Sequence, residues 1–190
     1  LICNILARTD KRGTDVQALD EAVTEAVETL SPERLAAANI NPVSGLATDY
    51  LNHFNNVVML LELIGDMPEM AGEILEWEPL AYPDYFAQSH FREKELAILA
   101  YRLAKAEFRG PFDTVVAALD HSMSEAKTML ALCDPPTDEM AVKIGMLVGE
   151  RMKPLISKAS GIINGAAGTL PQTATRDADE AQASIDELFP

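Results

Sequence analysis

Leu46, Tyr50, Phe54, Val57, Val58 and Leu61 recur at three- and four-residue steps. That spacing lines them up on one wide stripe of a helix but scatters them over both faces of a strand. The same period returns along most of the chain. Leu96, Leu99, Ala100 and Leu103 carry it over 93–106. Phe112, Val115, Leu119, Met123, Ala126 and Leu130 carry it after Gly110 and Pro111. Met140, Ile144, Leu147, Val148, Leu155 and Ile162 carry it after Thr137. No segment alternates apolar and polar residues as a half-buried strand does, and no internal repeat is evident. The sequence therefore predicts an all-α fold: a core like a four-helix bundle, with extra short helices, an N-terminal helical arm and a flexible C-terminal tail.

Breakers and caps set the expected boundaries. Ser44 is a candidate cap for a helix over 44–64, and Gly65-Asp66-Met67-Pro68 ends it before a short helix over 68–76. Ser31-Pro32-Glu33 supplies a cap, a proline at the first helical position and an acid in the first turn. Gly110-Pro111 is expected to open a long helix, Thr137 to cap the last one, and Pro154 to bend it. Gly145 and Gly149, four apart, predict a face that approaches a neighbour closely. Val16, Leu19, Val23, Ala26 and Leu30 form a narrow seam, which suits a peripheral helix or a homodimer contact. Over 77–91 the pattern breaks where Trp77, Tyr82, Tyr85, Phe86 and Phe91 gather around Pro79 and Pro83. That stretch reads as an irregular helical cap on one end of the bundle, with a lid or a partner surface as the alternatives.

At 190 residues the chain suits one domain. We divide it into a disordered leader at 1–13, which opens at Leu1 rather than Met, a helical domain over 14–163, a flexible linker over 164–181 and a docking segment at 182–190. A net charge of −15 opposes binding to nucleic acid or an anionic membrane surface, both of which need clustered Lys and Arg. No apolar run reaches the length of a membrane span, and the opening apolar stretch is too short for a signal core. Cys3 and Cys133 are too few for a disulfide framework, so a cytoplasmic location is expected.

Chemistry-bearing residues concentrate on the polar side of the 44–64 helix. Asp49, Asn52, His53 and Asn56 sit at i, i+3, i+4 and i+7, and the stripe continues into Leu60 and Leu63 instead of charges. The mid-helix asparagines Asn52, Asn55 and Asn56 weaken a helix, so a partly buried or partner-facing surface is expected there, with an inter-helix hydrogen-bond network or ordinary surface residues as the alternatives. A di-metal bundle would need Glu-x-x-His pairs on two helices. The three histidines, His53, His90 and His121, do not follow Glu at that spacing, so no metal ligand set or cofactor is assigned. A metal or redox bundle using His53, His121 and nearby carboxylates, with Asp49/His53 and His121/Glu125 as i, i+4 pairs, stands as the alternative, and a purely structural helical dimer as a third reading. No glycine-rich phosphate loop or nucleophile elbow is present.

Residues 164–181 hold almost no large apolar side chain after Leu170, a composition that cannot offset its own ordering entropy. Apolar residues then return as Ile185, Leu188 and Phe189 at helical spacing, opposite Asp186 and Glu187. Such a segment beyond a tether is expected to dock on a protein partner. Gln182-x-x-Ile185-Asp186-x-Leu188 resembles the segment with which flagellar switch proteins bind a chemotaxis response regulator. It is also similar to the C-terminal peptide of chemotaxis phosphatases of the CheZ type, themselves helical bundles with a tethered tail. The resemblance implies a receiver domain as partner. It also implies a helix that brings an acid and an amide to the aspartyl phosphate. Asp49-x-x-Asn52 has the Glu-x-x-Asn spacing of one phosphatase class, with Asp in place of Glu. His53 stands where another class carries Gln. On that resemblance Asp49, Asn52 and His53 are the catalytic candidates, and Gln182, Ile185, Asp186, Leu188, Phe189 and Asn56 the partner-binding ones.

Overall fold

The computed structural model describes residues 29–132 and 135–166, and among these every regular element is helical. Helix α1 spans Pro32–Ala37, with the Ser31 hydroxyl accepting from the Arg34 N–H as the capping pattern predicts. Its end is a Schellman turn: the Ile40 N–H reaches the Leu35 carbonyl at 2.9 Å and the Asn39 N–H reaches Ala36 at 3.1 Å. Asn39 fills the left-handed position, at φ 56°, that glycine more often takes. Leu35 and Ile40 are both buried, supplying the apolar contact that accompanies the motif.

A 3-10 turn at Thr48–Leu51 runs directly into α2, Asn52–Leu63. The expected cap at Ser44 is not one. No side chain caps this helical start, and Ser44 is buried with its hydroxyl donating to the Ile163 carbonyl at 2.6 Å and accepting from the Leu46 N–H at 3.2 Å. Asn41 holds the turn that precedes it, its side-chain oxygen accepting from the Val43 and Ser44 N–H groups. Gly45 follows at φ 73°, where an added Cβ would lie 3.0 Å from the Ala100 carbonyl oxygen. The close backbone approach is therefore here. Gly145 and Gly149 are exposed, and a Cβ on either would meet nothing within 4 Å, so the expected tight face on that helix is absent.

After a 3-10 turn at Pro68–Met70 come α3 (Ala71–Glu76), α4 (Tyr82–Gln88) and α5 (Lys94–Leu103). The longest helix, α6, spans Ala106–Leu130 and starts before Gly110-Pro111 instead of after it. Pro111 lies in the second turn, where it forfeits one backbone bond. Phe108 and Phe112 are buried on either side of it. At about 1.5–3 kcal/mol for each buried large side chain, packing outweighs that loss and carries the helix through the proline.

Thr137 caps α7 (Asp138–Leu147), its hydroxyl accepting from the Met140 N–H at 3.3 Å. A single π turn at Val148–Met152 joins α7 to α8 (Lys153–Ile163). Pro154 has no N–H to return to Glu150, so the ladder slips and the Lys153 N–H bonds five residues back to Val148. The expected bend thus takes the form of a π bulge. Helix α8 packs along α6; α2 packs against α3, α7 and the π turn; α4 pairs with α5. One continuous core results, with Tyr50, Phe54, Phe86 and Phe112 fully buried at its centre. No described helix is long and apolar enough to cross a membrane.

Candidate functional site

Tyr50 and Leu51 are drawn into the core at the start of the α2 segment, which turns Asp49 and Asn52 away from it. There the first turn of α2 meets the outer side of α8 across an open polar groove of about 400 Å³. Thr48, Asp49, Asn52 and Asn55 line one wall, and Ser157 and Ser160 the other. Asn52 and Asn55 are exposed; Asp49 is half-buried, and its carbonyl accepts from the Tyr85 hydroxyl at 2.9 Å. No Lys or Arg lines the groove, so nothing there neutralises the carboxylate except the positive end of the helix itself. Chemically the groove offers one carboxylate, two amides and three hydroxyls, enough to engage a cationic side chain and orient a water.

His53 turns the other way. Its Nε2 accepts from the Leu80 N–H at 3.2 Å, and its ring stacks on Trp77 at a centroid distance of 4.7 Å. The Trp77 indole N–H donates in turn to the His53 carbonyl. Burial pushes the His53 imidazole below its ordinary value, which favours the neutral ring that can accept this bond. The Tyr50 hydroxyl donates to the Leu80 carbonyl at 2.7 Å, and Lys127 Nζ to the Trp77 carbonyl at 2.6 Å. Three side chains from two elements and the turn before α2 therefore pin the 77–81 connection. Trp77, Tyr82, Tyr85, Phe86 and Phe91 all pack on or into the core, as expected of an aromatic cap.

Of the predicted site residues, the structure brings Asp49 and Asn52 together on the groove. It leaves Asn56 exposed on the same helix outside the groove lining, and commits His53 to the aromatic network. Gln182, Ile185, Asp186, Leu188 and Phe189 lie outside the described residues, as do most of the 16–30 seam, the leader and nearly all of the linker. Asn55, one of the mid-helix asparagines, also lines the groove, while Ser157 and Ser160 join it unannounced. The serines are spaced i, i+3, which marks a common face, but nothing in the sequence says that this face meets α2. The residues of a metal reading are dispersed: His121 is exposed, Glu125 pairs with Arg151, and no group of three or more His, Cys, Asp or Glu converges among the described residues. Compared with protein-family models, curated proteins and solved structures, the chain matches none.

Proposed function

We propose that this chain is a helical regulatory protein that docks a response-regulator receiver domain through two contacts. The C-terminal segment, with Gln182, Ile185, Asp186, Leu188 and Phe189, captures the partner. The Asp49/Asn52 groove, flanked by Asn56, meets its phosphorylated face. What supports this reading most is the shared groove: a carboxylate and an amide, three residues apart, open to solvent at a helix start with no cation to occupy them. Two weak contacts joined by a tether act at high effective concentration, so neither alone must be tight.

On this reading the activity is an auxiliary hydrolysis of the aspartyl phosphate. Asn52 orients a water whose oxygen attacks phosphorus in line. The bond from phosphorus to the aspartyl oxygen breaks, leaving inorganic phosphate and the free carboxylate. Asp49 engages the receiver's active-site lysine and so aligns the two surfaces. His53 takes no chemical part; it braces the aromatic network behind the α2 start.

The test follows the phosphate lifetime of a phosphorylated receiver domain from the same source. Wild-type protein should shorten it, while Asn52→Ala should lose roughly tenfold or more of that acceleration and keep its binding affinity. An identical lifetime with and without the wild-type protein would remove the enzymatic half of the proposal.

A further inference from the structure

Leu30 is the last member of the narrow acidic seam, and its place in the fold shows where that seam arrives. Thr29 is helical, and Leu30 leads into the Ser31 cap of α1 while packing on the core. It lines a depression of about 180 Å³ between α1, the turn at 42–45 and the end of α5. The floor is closed, since Leu35, Ser44 and Ala100 are buried, but the rim is open to contact. Val43 is 58% exposed and Leu103 54%, and Pro42 is exposed beside them. Exposed apolar side chains gathered round a hollow mark a surface suited to a cover.

Charge narrows the choice of cover. Lys105 lines the depression with its side chain 70% exposed, and no Asp or Glu stands among the described lining residues. Arg102 and Arg109 share that corner, the Arg109 guanidinium donating to the Arg102 carbonyl at 3.1 Å. In a chain of net charge −15 such a cluster attracts an acidic segment. Residues 14–28 supply five acids and no Lys or Arg. On a helical period Val16, Leu19, Val23 and Ala26 share the face of Leu30, with Asp15 and Asp20 at its edges. At about 1.5 Å per residue, Ala26 and Val23 would fall about 6 and 10 Å beyond Leu30, the span of a depression that Leu30 shares with Val43 and Leu103. A second copy offers the same seam. The chain's own, however, begins at the depression with no intervening linker, which gives it the higher effective concentration.

We propose that the seam of Val16, Leu19, Val23 and Ala26 docks across this depression within the same subunit, its apolar face on Pro42, Val43 and Leu103 and an acidic edge toward Lys105 and Arg102.

Hydrogen exchange of the backbone amides over 15–28 in the full chain, read beside sedimentation, tests this. The expected result is exchange slowed by about tenfold or more relative to an unstructured peptide, in a monomer and independent of protein concentration. Leu103→Asp and, separately, Val43→Asp should each remove most of that slowing while the amides of α6 stay protected. Both side chains are exposed, so neither change digs into the core, and Val43→Asp decides should Leu103→Asp fail to fold. Absence of slowing in the wild type, or slowing that either folded variant keeps, would overturn the proposal. Slowing that appears only as dimers form would overturn it too, by giving the depression to a second copy.

Discussion

His53 and Asn52 are neighbours in sequence with opposite fates, and the geometry of a helix accounts for both. At about 100° per residue, His53 lies only about 60° from Tyr50, on the edge of the apolar arc, whereas Asn52 lies about 160° away from it. The polar stripe from Asp49 to Asn56 is legible in the sequence. That one member tips inward is not, because it depends on Trp77 and Leu80 arriving from a distant loop. The inward turn has a pH signature. Burial lowers the His53 pKa, so the folded form holds the ring neutral while the unfolded chain takes up a proton near the ordinary value of 6.5. Its contribution is present above about pH 6.5 and is lost as pH falls through the lower folded value. Asp120, whose pKa burial raises, acts in the opposite sense: its relief is complete at low pH and is lost as pH rises through its folded value. Comparing denaturant midpoints of wild type and His53→Asn between neutral and mildly acidic pH isolates the histidine. Wild type should lose stability toward the acidic end faster than the variant. Ser44→Ala should cost about 1–3 kcal/mol by chemical denaturation, since it removes the donor to the buried Ile163 carbonyl.

Helices were easier to read than their ends. The longer described helices, α2 and α5 to α8, fall on stretches of the expected period, because that period is what an apolar stripe needs in order to meet a core, whereas α4 forms inside the 77–91 stretch where the period breaks. The errors sit where packing or backbone chemistry competes with local propensity. Gly110-Pro111 looked like a start, but Phe108 and Phe112 pull the helix through it. Ser44 looked like a cap, but Asn41 and Gly45 form a turn that carries its hydroxyl into the interior. Thr137 behaved as a cap because no tertiary contact competes for its exposed hydroxyl. Thr137→Ala should therefore lower stability by about 1 kcal/mol in thermal or denaturant unfolding, while Thr137→Ser or Thr137→Asp should recover most of it.

For the molecule as a whole, the all-α class was legible because periodicity reports which face of a helix is apolar. It does not report which helix lies opposite, and the groove between α2 and α8 exists only through that pairing. This is why Asp49 and Asn52 could be named from the sequence, while Ser157 and Ser160 could not. The described residues share one continuous apolar core. In our account the C-terminal stretch serves a partner and not the fold. Removing residues 180–190 should then separate stability from binding. The most direct measurement is calorimetric affinity for the phosphorylated receiver domain, taken beside the melting temperature, for the full chain and the truncated one. The account predicts binding weaker by roughly two orders of magnitude at an unchanged melting temperature. Unchanged affinity, or a melting temperature that falls with the truncation, would contradict it.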